Sequence, residues 1–129
     1  MNDILVPISP GELLDKITIL RIKAERMQDP TKLANVRLEL TLLERTWRDA
    51  CGTADVSAEE RALQAVNERL WDVEDRIRAK EARRAFDADF IELARSVYIE
   101  NDERAAVKKR INLALGSRLL EEKSYQAYR

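Results

Sequence analysis

The chain has 129 residues, 36% of them charged, with 23 basic and 24 acidic side chains and a formal charge of −1. That length suits one domain able to bury a core without disulfide or metal, and the charge balance argues against a protein built to grip nucleic acid or an anionic membrane, which carries a basic excess. The absence of histidine and the single cysteine, Cys51, exclude a disulfide within the chain, a Cys/His zinc site and every triad that needs histidine.

A hydrophobic content of 45% with only 5% aromatics is the profile of helical bundles and coiled coils. The start, Met1 to Ile8, lacks a basic segment and a long apolar run, so neither a signal peptide nor a membrane span is expected, and the protein reads as cytoplasmic. Its weak alternation suggests a short extended lead-in. Ser9-Pro10-Gly11-Glu12 then supplies a cap, a proline at the first helical position and a glutamate at the third, the pattern of a capping box. Leu13, Ile17, Leu20, Ala24 and Met27 follow at alternating spacings of four and three, which predicts helix 1 over residues 9–28.

Asp29-Pro30 repeats the cap-plus-proline signal, and Leu33, Val36, Leu40, Leu43 and Trp47 predict helix 2 over 30–51. Cys51 stands as a small residue at its end. Ser57-Ala58-Glu59-Glu60 reads as a second capping box, and Leu63, Val66, Leu70, Val73 and Ile77 predict helix 3 over 57–84. Asp87 can cap helix 4, with Phe86 packing on Ile91 as a hydrophobic staple, and Gly116 ends it, giving 87–115. Residues 117–129 form a polar tail that Leu119, Leu120, Tyr125 and Tyr128 would strap onto the body.

The expected architecture is all-α, an antiparallel bundle of four main helices in one domain spanning 1–129. Helices 1 and 2 would each be roughly 30 Å long and helices 3 and 4 roughly 40 Å, at the helical rise per residue. The second hairpin should therefore protrude, carrying Ile77, Phe86, Phe90, Ile91, Leu93 and Ala94. Apolar surface of that kind calls for a cover, and the expectation is a two-fold homodimer through the helix 3–helix 4 hairpin.

Candidate chemistry is sparse. Arg76, Arg78, Lys80, Arg83 and Arg84 form a basic run at the end of helix 3, read as a solvated helix end or as an anion site. Glu68, Asp72 and Asp75 share one face of helix 3, level with Glu100 and Glu103 of helix 4. Facing acids of this sort are how helical magnesium-dependent nucleotide pyrophosphohydrolases hold metal, although the spacing of their motif is not reproduced. Oxygen ligands alone would select magnesium, manganese or calcium. Ser9, Glu12, Asp15, Lys16 and Thr18 cluster at the start of helix 1, where capping and the helix dipole are the structural explanation and anion binding is the rival.

Helix 4 carries the only interruption of a seam. Phe90, Leu93 and Val97 are followed by Glu100 or Asn101 and then Arg104, before Val107 and Ile111 resume the stripe. Polar groups at a helix interface cost several kcal/mol unless paired. Asn67 and Glu74 of helix 3 lie at a height to pair with Asn101 or Arg104. Three readings follow for Arg95, Tyr98, Asn101, Asp102 and Arg104: a buried network that sets register, a ligand pocket with Trp71 and Glu74, or a surface-facing stretch.

Three segments, Ser9 to Leu20 (SPGELLDKITIL), Leu70 to Arg78 (LWDVEDRIR) and Phe90 to Tyr98 (FIELARSVY) followed by Asn101 to Arg104 (NDER), together with a closing Glu122 to Tyr125, resemble the motifs of a family of small, mostly bacterial proteins of unknown function. The resemblance covers most of the chain outside helix 2 and the Gly52 loop. It implies that Asp15, Lys16, Glu74, Asp75, Arg78, Arg95, Tyr98, Asn101 and Arg104 are more than solvated decoration. Members of that family are often associated with glycosyltransferase and surface-polysaccharide genes, an association of neighbourhood and not of mechanism. The functional expectation is a non-catalytic interaction or scaffold protein with a protein partner and no cofactor, accessory to glycan biosynthesis. The alternative is a ligand-binding or magnesium- or manganese-dependent enzyme acting on a nucleotide or nucleotide sugar through carboxylates.

Overall fold

The computed structural model describes residues 1–129 and is all-α, with helices α1 (Pro10–Arg26), α2 (Pro30–Cys51), α3 (Ser57–Ala82) and α4 (Ala88–Ala114). No helix is long and apolar enough to cross a membrane. Ser9 caps α1 by accepting from the Glu12 amide, Asp29 caps α2 through the amides of Thr31 and Lys32, and Asp87 caps α4 through that of Phe90. The expected box at Ser57 does not form. Val56 occupies the cap position without a side-chain bond, because it is buried in the core, and Ser57 donates to Asp55 instead.

The helices are not equivalent neighbours. α1 packs against each of the other three and α3 against α4, whereas α2 packs against α1 alone. The main core joins Leu14 of α1, Val56, Leu63 and Val66 at the start of α3, and Val107 and Ile111 of α4, with Trp47 and Leu115 against it. α2 contributes one buried residue, Val36, and leaves Leu38 and Leu42 exposed. α1 is the central rod. Its buried positions comprise Leu13, Ile17 and Leu20 of the expected seam and a second stripe of Gly11, Leu14, Asp15, Thr18 and Ile22.

α4 runs unbroken through the interruption in its seam. At the tip of the α3–α4 hairpin Arg84 takes a left-handed φ of 53°. Phe86 stacks edge-on against Phe90 at 5.1 Å, and both Phe86 and Ile91 are more than half exposed. The tail beyond Gly116 has no regular structure and lies along α4.

Candidate functional site

The second stripe of α1 meets α4 in a ladder of polar contacts. At its near end the Gly11 amide donates to Asn112 Oδ1 at 2.7 Å, with both residues buried. Glycine is required there, because a Cβ would stand 2.5 Å from the Lys108 carbonyl oxygen. One step along, Lys108 Nζ donates to Glu12 at 2.7 Å and to Glu121 of the tail at 2.8 Å. Burial works against the Lys108 charge, but these two carboxylates outweigh it and the ammonium pKa is raised. Glu12 therefore serves Lys108 in place of closing the expected capping box.

The next rung is Asp15, only 1% exposed. Arg104 grips it side-on through one edge of the guanidinium, Nε to Oδ1 at 2.9 Å and Nη2 to Oδ2 at 2.7 Å. The hydrogen bonds from Arg104 to Asp15 raise the guanidinium pKa. Asn67 Nδ2 completes the carboxylate at 2.9 Å and also donates to Thr18 Oγ1 at 3.0 Å. Thr18 in turn donates to the Asp15 carbonyl at 2.8 Å. The interruption of the α4 seam is thus the face that α1 needs for its buried acid.

Beside this rung lies a cleft of about 480 Å³ between α1, α3 and α4. Asn67, Trp71, Glu74, Asn101 and Arg104 line it, with Lys23, Asp75 and Arg78. Asn101 stands 3.4 Å from Arg104 Nη1. Four of the expected cluster, Trp71, Glu74, Asn101 and Arg104, therefore share one cavity. Arg95 is exposed outside it, and Tyr98 faces the tail, where its ring meets that of Tyr128 at 4.8 Å. Lys16 is exposed on α1 with no ion pair. Sequence reasoning missed Asp15, Thr18 and Lys108 as buried partners and Lys23 as a lining residue. Their signal lay in the apolar residues of α1 that fall off its seam, Leu14, Ile19 and Ile22.

The acidic candidates do not converge. Asp72 is paired with Arg26 at 2.7 Å, Glu100 with Arg69 at 3.0 Å, and Glu68 accepts from Gln64. Asp75 lines the cleft and Glu103 is exposed. No group of three or more acidic or sulfur side chains is close enough to hold an ion. The basic run is likewise dispersed: Arg78 bonds Glu74 within its helix, and Lys80 bridges to Asp87.

The tail is held by side chains. Glu121 reaches Lys108, while Lys123 and the Tyr128 hydroxyl both donate to Asp102. Tyr125, expected to help, is exposed, and Leu119 and Leu120 remain more than one-third exposed. Lys123 and then Tyr128 hold the Asp102 carboxyl below its ordinary range, and Lys108 does the same for Glu121. A carboxylate depressed in the folded state stabilises it above its ordinary pKa, near ~4, and the effect fades as pH falls through the folded value. Acidification below that range is therefore expected to release the tail while the helices persist. Tyr98 and Tyr128 side-chain signals in an NMR pH titration would move together ahead of any loss of circular dichroism.

The chain belongs to a family of unknown function, DUF6165, whose sequence profile matches residues 4–128. No curated protein and no solved structure shows significant similarity to it.

Proposed function

We propose that this protein is a non-catalytic helical binding protein, a rigid scaffold whose working surface is the cleft between α1, α3 and α4. One observation supports this above others: Arg104 is fixed from behind by the buried Asp15 while its outer edge lines the cleft. A guanidinium immobilised in this way costs little further entropy when it meets a ligand. Arg104 and Arg78 are held by Asp15 and Glu74, which suits recognition better than proton transfer. The likeness of the Ser9 to Leu20 and Phe90 to Arg104 motifs to proteins associated with glycosyltransferase genes directs the role toward the cytoplasmic side of surface-glycan biosynthesis, as an accessory.

Thermal melts with magnesium, manganese, nucleotides and nucleotide sugars test this reading. A ligand at a hundred times its dissociation constant stabilises the fold by about 2.7 kcal/mol. A shift that Trp71→Leu abolishes, with helicity unchanged, is the expected result. Failure of the whole panel to shift the melt would count against the cleft.

The same scaffold pairs through its α3–α4 tip. Phe86 is 54% and Ile91 57% exposed there, beside the half-buried Phe90, an apolar group that a second copy would cover. Sedimentation at tens of micromolar is expected to give a dimer that Phe86→Asp with Ile91→Asp converts to monomer. A wild-type monomer at that concentration rules the pairing out.

A further inference from the structure

Asn67 holds an acceptor in reserve. The residue is 5% exposed, and its Nδ2 is committed twice, to Asp15 Oδ1 and Thr18 Oγ1. Asp15 Oδ1 also accepts from Arg104 Nε, so it meets Asn67 as an acceptor, the amide orientation is fixed and Asn67 Oδ1 faces the other way. That oxygen accepts from no protein group and is not sealed from solvent, and Asn67 lines the cleft. Arg104 has used Nε and one N–H of Nη2 on Asp15 and one N–H of Nη1 on Asn101 Oδ1, which leaves one donor on each terminal nitrogen. The floor of the cleft therefore offers an acceptor on Asn67 and donors on the terminal nitrogens of Arg104, on two side chains both held by Asp15.

Such an edge is complementary to an N–H adjacent to a C=O in the same plane. Trp71 supplies an aromatic wall, half-buried in the same cavity. At the rim stand Lys23, which has no carboxylate within ion-pairing distance, and Arg78, whose Nε is held by Glu74 at 3.1 Å but whose side chain is 79% exposed, with its terminal nitrogens free of protein partners. Glu74 and Asp75 place acceptors beside them, suited to hydroxyl groups. A volume of about 480 Å³ is in the range of small-molecule sites.

We propose that the cleft binds a nucleoside phosphate whose base carries a lactam edge, the N–H donating to Asn67 Oδ1, the C=O accepting from Arg104, and the phosphate meeting Lys23 and Arg78. This rests on the reading of the cleft as a binding site and names its ligand class. Discrimination comes from the floor: a base with an acceptor ring nitrogen beside an amino group sets acceptor against acceptor at Asn67 and donor against donor at Arg104.

Calorimetry and NMR titration of the full chain against uridine and inosine monophosphates, with cytidine and adenosine monophosphates as counterparts, test this. The lactam pair is expected to bind at least tenfold more tightly and to shift the Asn67 amide and Trp71 indole signals. Lys23→Gln, at a partly exposed site and with unchanged circular dichroism, is expected to weaken uridine monophosphate severalfold and leave uridine unaffected. Equal binding of all four nucleotides, with the shifts in the cleft, overturns the lactam assignment and leaves the cleft reading standing. Binding by none overturns the assignment; if nothing in the wider melt panel binds either, the cleft reading falls with it.

Discussion

Arg104→Leu is expected to destabilise the fold by about 3–5 kcal/mol, the range for breaking a buried ion pair by removing one partner. The asymmetry of the pair sets the direction. Arg104 keeps 30% of its side chain in solvent, but Asp15 keeps 1%, so the loss strands a carboxylate that water cannot reach. Asn67 alone remains to solvate it. Urea denaturation would report this as a lower midpoint with little change in slope. Replacing both residues by leucine removes the stranded charge and should recover a large part of the loss, which makes the cycle diagnostic. If Arg104→Leu lies within about 0.5 kcal/mol of wild type, as ordinary surface substitutions do, the ladder is not what holds α1 on α4.

The polar interruption in α4 was visible in the sequence because a stripe count exposes any break, but its partner was not. Pairing by height placed Arg104 against Asn67 and Glu74 of α3, which share its hairpin. The actual partner sits on α1, at a position a single-seam reading assigns to the outer face. The error has a physical origin. A helix at the edge of a bundle buries one stripe, whereas α1 contacts three neighbours and buries two. Leu14 and Ile22, both apolar, buried and off the assigned seam, carry that information, since a helix apolar on more than one face is an interior helix. The polar residues between them, Asp15 and Thr18, then had to be buried and paired. The same counting placed α2 correctly and left its burial open. Its seam from Leu33 to Trp47 is regular, yet only Val36 is buried, because regular spacing shows which face is apolar and not how many neighbours cover it. The helix caps that depend on one side chain and the next amides were legible at Ser9, Asp29 and Asp87. At Ser57 tertiary packing of Val56 decided the geometry instead. The cleft was half legible for a related reason: Trp71, Glu74, Asn101 and Arg104 lie on the hairpin, where height is easily counted, while Lys23 depends on how α1 lies against α3 and α4.

Gly11→Ala tests the other end of the ladder, and its expected effect is opposite in sign to the usual one. Within a helix this change gains roughly 0.5–1 kcal/mol. Here the added methyl would meet the Lys108 carbonyl oxygen at 2.5 Å and Asn112 Oδ1 at 2.9 Å. The asparagine side chain can turn aside at the cost of its bond to the Gly11 amide, but a helix carbonyl cannot. Relief requires α1 to move off α4, and overpacking of this kind costs about 1–3 kcal/mol. The movement also lengthens the Glu12–Lys108 and Asp15–Arg104 contacts on the same face, so the net loss should lie at the upper end of that range, measured by urea denaturation. Gly116→Ala is the internal control. Its φ of 66° strains any side chain, yet nothing lies within 4 Å, so it should cost about 1–2 kcal/mol without disturbing the ladder. Adding Asn112→Ala to Gly11→Ala removes one of the two clashes and should rescue little, because the carbonyl remains. Full rescue by that second change would locate the constraint in the side chain and not in the backbone approach of the two helices.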